Sequence, residues 1–191
     1  DREQASTDRE GVGAMDVVRT GGRLVAALHQ RGVDWLAPSD ACGAPMPDET
    51  LIASLAAHDD PRLRQALIGL FLLHPDLAGM VPRVADTLDE HANRELQAYY
   101  TAAVYLQTMW RIRLGHYLPS VHELPDYFSL ALYLPPRQDE YGKAGLYALA
   151  EWHASHAPFK CNYMSAYDGV ADLLFASLKR KHSRYEPATA G

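Results

Sequence analysis

The chain has 191 residues, 48 % of them hydrophobic, which is enough for one ordinary core and calls for no second domain. A formal charge of -6 argues against a general nucleic-acid binder, which would show a strong positive field. Two distant cysteines, Cys42 and Cys161, do not make a disulfide-stapled scaffold and fit reduced thiols in the cytoplasm. The longest apolar run, Leu67 to Leu73, stops well short of the roughly 20 residues that a membrane helix needs.

Residues 1–13 are charged and polar and read as a flexible tail, without the apolar stretch of a signal peptide. A single helical domain is expected over 14–185, followed by a short tail at 186–191. Its first helix, Val17 to Gln30, uses Val17, Val18, Leu24, Val25 and Leu28. Gly21-Gly22 weakens the start by about 1 kcal/mol per glycine. The pair lacks the strand and the Gly-Lys-Ser/Thr of a phosphate loop, so it reads as a kink or a close helix approach. Gly32 to Pro47 is a connection that Trp35 and Leu36 anchor to the core. Asp48 is placed to cap a helix over Glu49 to Ala57, with Leu51, Ile52 and Leu55 inward. After the His58-Asp59-Asp60-Pro61 turn, Asp60 caps the next helix and Pro61 takes its first position. That helix is stopped by His74-Pro75. Its crowded apolar positions predict burial on more than one side.

Asp60-Pro61-Arg62-Leu63-Arg64-Gln65-Ala66-Leu67 resembles the start of the second helix of a HEAT-type repeat, a family that stacks helix pairs as protein-binding scaffolds. The resemblance spans Asp48 to Leu73. No second copy follows at the expected spacing of roughly 40 residues, so it implies local helix-pair packing, not a solenoid. Over Asp48 to Asp76 the chain is also similar to helical proteins that accompany nucleotidyltransferases in bacterial operons. That likeness implies a bacterial accessory protein. The fourteen arginines against four lysines read as a genomic composition bias.

The strongest pattern is Arg83 to Leu114, which contains no glycine or proline. Val84, Leu88, Ala92, Leu96, Tyr99, Ala103, Leu106 and Trp110 keep the helical period. Unbroken, this helix would be about 48 Å long. Its first half carries a polar face on which Glu90 and Arg94 can pair, and its second half is apolar nearly all round, as in a central helix. Arg111 and Arg113 return it to solvent and Gly115 is the expected terminator. Tyr127 to Leu134 is expected to be helical or irregular, because a lone strand would have no partner. Asp139 to His153 reads as a helix. A last helix, capped by Asn162 or Ser165, should run to about His182. The fold class is therefore all-α: a compact multi-helix bundle with HEAT-like pair packing toward its N-terminal half and one long central helix.

No assembled chemistry stands out, and no catalytic residue or cofactor motif is assigned. His153, His156 and Cys161 form a weak metal set, because zinc accepts imidazole and thiolate but the spacing matches no known finger or His-Glu-x-x-His site. Asp86, Asp89, Glu90, His91 and Glu95 lack the repeated Glu-x-x-His of di-iron bundles. His58-Asp59-Asp60 has no nucleophile tied to it, and Cys42 lies in a plain Ala-Cys-Gly context. Lys179, Arg180, Lys181 and Arg184 form a basic patch without a recognition-helix motif. Nucleic-acid binding requires this patch to share a face with Arg111 or Arg113. Tyrosine is abundant: Tyr99, Tyr100, Tyr105, Tyr141, Tyr147, Tyr163 and Tyr167, with Trp110, are the ligand or interface candidates, since aromatic rings with a polar tip suit contact surfaces. His91, Glu95, Arg111 and His116 are the polar pocket candidates. The resulting expectation is a non-enzymatic interaction module or regulatory subunit with a protein partner or as a homodimer, and no membrane association. The alternatives are a ligand-binding or enzymatic pocket lined by Tyr, His and Arg, and a nucleic-acid-associated accessory protein, a companion of a nucleotidyltransferase.

Overall fold

Asp60-Pro61 and His74-Pro75 bound an apolar helix as the sequence requires. In the computed structural model the Asp60 carboxylate accepts from the Arg62 N–H at 2.9 Å, Pro61 opens the helix, and the helix closes at Leu73. The structure describes residues 21–38, 45–118, 122–157 and 161–185. The expected tails, Cys42 and the start of the first helix lie outside them. Among the described residues the elements are all helical or irregular. They are α1 (21–30), α2 (Asp48–Ala56), α3 (Pro61–Leu73), a 3-10 turn (Pro75–Met80), α4 (Val81–Ala85), α5 (Glu90–Met109), α6 (Arg111–Tyr117), a second 3-10 turn (Asp139–Gly142), α7 (Lys143–His156) and α8 (Tyr163–Tyr185). Replacing Asp60 by Ala removes one cap and should cost about 1 kcal/mol, read as a lower urea midpoint at unchanged m-value. An unchanged midpoint would show that the cap contributes nothing.

α5, twenty residues long, touches several of the other helices. It packs against α2, α3, α7 and the second 3-10 turn, while α8 closes the other side of α3 and α7. α3 buries its residues on several sides, from Leu63 to Leu72, because it lies between α5 and α8. Gly69 of α3 has no side chain for a physical reason: a Cβ there would come within 2.3 Å of the Trp35 indole, which anchors the loop after α1. That loop begins in a Schellman turn. Gly32 takes φ +80°, its N–H reaches the His29 carbonyl, and the Val33 N–H reaches the Leu28 carbonyl. Arg31 then bridges α1 to the start of α2, contacting Asp48 and the Ala27 and Met46 carbonyls. Asp48 is thus the partner of Arg31, while α2 starts at Asp48 itself with no side-chain cap, so the expected capping role is not the one it fills.

The run from Arg83 to Leu114 is not one continuous helix. It divides between α4 and α5, where the Thr87 hydroxyl donates to the Val84 carbonyl and Asp89 caps α5 through the Ala92 N–H. It breaks again at Trp110, whose φ of -105° and ψ of 16° leave the helical region. Glu90 and Arg94 do pair, at 2.6 Å. α6 continues past Gly115 to Tyr117, so that glycine terminates nothing. α7 starts at Lys143, four residues later than Asp139, because Gly142 at φ +91° separates it from the 3-10 turn. Asn162 fills the expected capping role, accepting from the Ser165 N–H at 3.0 Å.

Residues 122–138 have no helix or strand, yet they lie on α5. Their backbone groups need partners, and side chains of α5 supply them. Gln107 donates to the His122 carbonyl and accepts from the Leu124 N–H, at 2.9 and 2.8 Å. The Tyr100 and Tyr105 hydroxyls donate to the Pro125 and Pro135 carbonyls, each at 2.7 Å. This is why α5 carries tyrosine where an ordinary core would carry phenylalanine. No single helix among the described residues is long and apolar enough to cross a membrane.

Candidate functional site

Two places concentrate the residues singled out in the sequence. The first is a polar cluster inside the bundle. Arg64 of α3, Glu95 of α5, His153 of α7 and Tyr167 of α8 each occupy an inward position of their helix. The Glu95 Oε1 lies 3.2 Å from His153 Nε2, and His153 Nδ1 lies 2.7 Å from the Tyr167 hydroxyl. A carboxylate only accepts, so Nε2 carries the proton it shares with Glu95; in the neutral ring Nδ1 then accepts from Tyr167. Arg64 Nε stands 2.9 Å from Glu95 Oε2, close enough for an ion pair but out of line for a hydrogen bond, so neither atom has a directional partner. Another nitrogen of Arg64 donates to the His58 carbonyl at 2.7 Å.

Burial pushes the Glu95 carboxyl up, but the His153 hydrogen bond and the charges of His153, Arg64 and His91 together hold it below the usual glutamate range. Burial raises the Tyr99 and Tyr167 hydroxyls well above the ordinary tyrosine value, with the Glu95 charge adding to both. Tyr163 stacks on the His153 ring at 3.8 Å between centroids. Its hydroxyl is raised first by burial and then by Cys161, which lies at the exposed approach to α8. The carboxylate–imidazole–hydroxyl order has the form of a catalytic relay. Its two ends, Glu95 and Tyr167, are however only 3 % and 0 % exposed, so neither faces solvent in this structure. Its effect is to lock four helices together.

The residues of the weak metal set lie in different surroundings. Both nitrogens of His153 are engaged inside the core, whereas His156 is exposed and turned to the Ser155 hydroxyl and the Trp152 carbonyl. Among the described residues no group of three His, Cys, Asp or Glu side chains is placed to hold a metal ion.

The second place is a cleft of about 770 Å³ beside α6. Its apolar walls are Met109, Trp110, Ile112, Tyr117 and Tyr141, and Arg111, Arg113 and His116 stand around them. α6 is weakly embedded: of its seven residues only Leu114 is buried, and Ile112 is 93 % exposed. The Arg113 guanidinium lies 3.9 Å over the Phe175 ring of α8, and His116 and Tyr117 meet His182 at 5.6 and 5.7 Å. The Trp110 indole N–H, at the break before α6, is buried without an acceptor. Tyr141 is 82 % exposed and sits at φ +57°, a left-handed conformation uncommon for a bulky residue. A smaller cleft of about 320 Å³ adjoins this one, bounded by Gln107, Thr108, Arg111 and Glu123.

The remaining candidates divide between these places and the core. Tyr99, Tyr100, Tyr105, Tyr163 and Tyr167 are buried, and Tyr147 is half exposed on α7. Trp110, Tyr141, Arg111 and His116 come together at the α6 cleft. Glu95 belongs to the internal cluster, and His91 is exposed near it on the first turn of α5. In the basic patch, Lys181 and Arg180 face Asp34 at 3.3 and 3.4 Å, and Lys181 also donates to the Gly32 carbonyl. Lys179 and Arg184 are exposed on the same helix. Arg64 and Ile112 lie outside the sequence-based candidates. Arg64 has a sequence signal, since it stands three and seven residues before Leu67 and Phe71 on the apolar stripe of α3; Ile112 has none, because its exposure follows from the break at Trp110. Comparison with protein-family models, curated proteins and solved structures gave no match.

Proposed function

We propose that this chain is a non-enzymatic helical interaction module or regulatory subunit that engages a protein partner through α6 and the cleft beside it. The observation that carries this reading is Ile112. It is a large aliphatic side chain, 93 % exposed, on a helix with a single buried residue, next to an aromatic-walled cleft edged by arginines. Aromatic and arginine side chains around a desolvatable apolar centre are the composition of interface hot spots. The contacts of α2 and α3 with each other and with α5 support the HEAT-like pairing of residues 48–73, with α5 as the central helix against which that pair docks.

The small-ligand alternative is less well supported. In the 320 Å³ cleft, Gln107 already spends both ends of its amide on residues 122 and 124, and Glu123 pairs with Arg137. The nucleic-acid alternative loses two of its four patch cations to Asp34.

The test is capture from source-cell extract with the wild-type protein and with Ile112→Asp, read by mass spectrometry. A stoichiometric protein held by the wild type and lost at least about tenfold by the variant is expected. Equal capture by both proteins would remove α6 as the contact surface. No captured protein, with the bait folded, would remove the interaction reading.

A further inference from the structure

We propose that the α6 cleft accepts an apolar peptide segment flanked by aspartate or glutamate, contributed by a partner protein. This rests on the interaction reading above and adds the chemistry of the occupant. The apolar half of the argument is the wall: Met109, Trp110, Ile112, Tyr117 and Tyr141 offer aliphatic and aromatic surface in a space large enough for several side chains.

The charged half is the rim. Arg31, Arg64, Arg83, Arg94, Arg137 and Arg180 each lie against a carboxylate of the chain. Arg111 and Arg113, like Arg23, Arg62 and Arg184, meet none among the described residues; Glu123 shares the adjoining smaller cleft with Arg111 but is paired with Arg137. Arg113 instead lies over the Phe175 ring, a contact that positions its guanidinium without neutralising it. His116 continues the rim toward His182 of α8. On a chain of net charge -6 this corner is locally positive, and the complementary surface is negative. A guanidinium that is positioned but unpaired suits a bidentate carboxylate. A phosphate backbone would want a longer series of cations, and two of those on α8 are already spent on Asp34.

The experiment is selection from a random displayed-peptide library on the full chain, with Ile112→Asp as counter-selection. Selected peptides are then measured by fluorescence anisotropy against wild type, Ile112→Asp and the double variant Arg111→Glu/Arg113→Glu, at low and physiological salt. All three proteins are checked for helical content; the substituted side chains are at the surface, so the fold should be retained. The expected pool pairs Leu, Phe, Trp or Met with Asp or Glu. Binding should be lost on Ile112→Asp, weakened about tenfold or more by the double charge reversal, and weakened by salt.

A pool without acidic residues, or one indifferent to the charge reversal, overturns this partner chemistry and leaves the interaction reading standing. No pool that separates wild type from Ile112→Asp overturns both. Three other occupants are tested alongside. Single-stranded DNA that displaces the selected peptides and is lost by the charge reversal overturns the proposal in favour of nucleic acid. A wild-type dimer that Ile112→Asp converts to monomer, by light scattering, overturns it in favour of a second copy. A synthetic peptide of residues 1–20 that displaces the selected peptides overturns it in favour of the chain's own N-terminal segment.

Discussion

Glu95→Ala should lower the unfolding free energy by about 3–5 kcal/mol, the loss that follows when one partner of a buried ion pair is removed. Glu95 is 3 % exposed, and its carboxylate lies against the fully buried His153 ring and the largely buried Arg64 guanidinium. Removing it leaves the Nε2 proton of His153 without its acceptor and the Arg64 charge without its counter-ion. Glu90→Ala is the matched control. It breaks an exposed pair with Arg94 on the same helix and should cost only a few tenths of a kcal/mol. Urea denaturation of the two variants decides the matter, and equal, small losses would mean the internal cluster contributes no net stability.

The same cluster predicts a pH dependence with a definite sign. The Glu95 carboxyl titrates below the usual glutamate range in the folded chain. The unfolded chain therefore takes up its proton first as pH falls. Stability from this group is fully present above the ordinary glutamate value and is lost as pH drops through the depressed folded one. Glu95→Gln cannot titrate, so its unfolding free energy should fall less steeply than that of the wild type as pH drops below the ordinary glutamate value. Parallel curves would contradict the assignment.

Gly142→Ala should be the second severe substitution, at about 3 kcal/mol, from backbone strain and overpacking together. Gly142 takes φ +91°, which an alanine adopts only under strain. Its Cβ would also stand 2.7 Å from the Tyr105 carbonyl oxygen, a backbone atom of α5 that cannot rotate aside. The approach is this close because α7 meets α5 here, and Gly145 one turn later faces the Tyr105 ring, itself fixed by its hydroxyl on Pro135. A thermal or urea midpoint within error of the wild type would show that the 3-10 turn shifts freely away from α5.

Much of this architecture can be read in the chain, where local chemistry agrees with the period. Asp60-Pro61 and His74-Pro75 fix α3 at both ends, and Asn162 starts α8. The break before α5 was hidden because Val84, Leu88 and Ala92 keep their apolar spacing across it. The signal was Asp89 three residues before Ala92, a cap in the middle of an otherwise helical pattern. The break at Trp110 has no glycine or proline to announce it. The core tyrosines illustrate a different limit. Composition places a ring with a polar tip equally well at a surface or beside an orphan carbonyl. Only the irregular course of residues 122–138 decides for the second at Tyr100 and Tyr105. The internal cluster was half legible: Arg64, Glu95 and His153 each interrupt an apolar stripe, but their pairing links helices far apart in sequence.

That separation bears on the order in which the fold can close during synthesis. Translation delivers Arg64 and then Glu95, whose carboxylate can meet the guanidinium as soon as α3 and α5 dock. The other carboxylate oxygen stays without its imidazole until α7 has emerged, and that imidazole waits in turn for the Tyr167 hydroxyl of α8. Until then the second turn of α5 holds a half-satisfied charge, which favours keeping water there. Closing the network around Glu95 therefore requires α3, α5, α7 and α8 together: a chain released before Lys143 has been made holds that carboxylate with Arg64 alone.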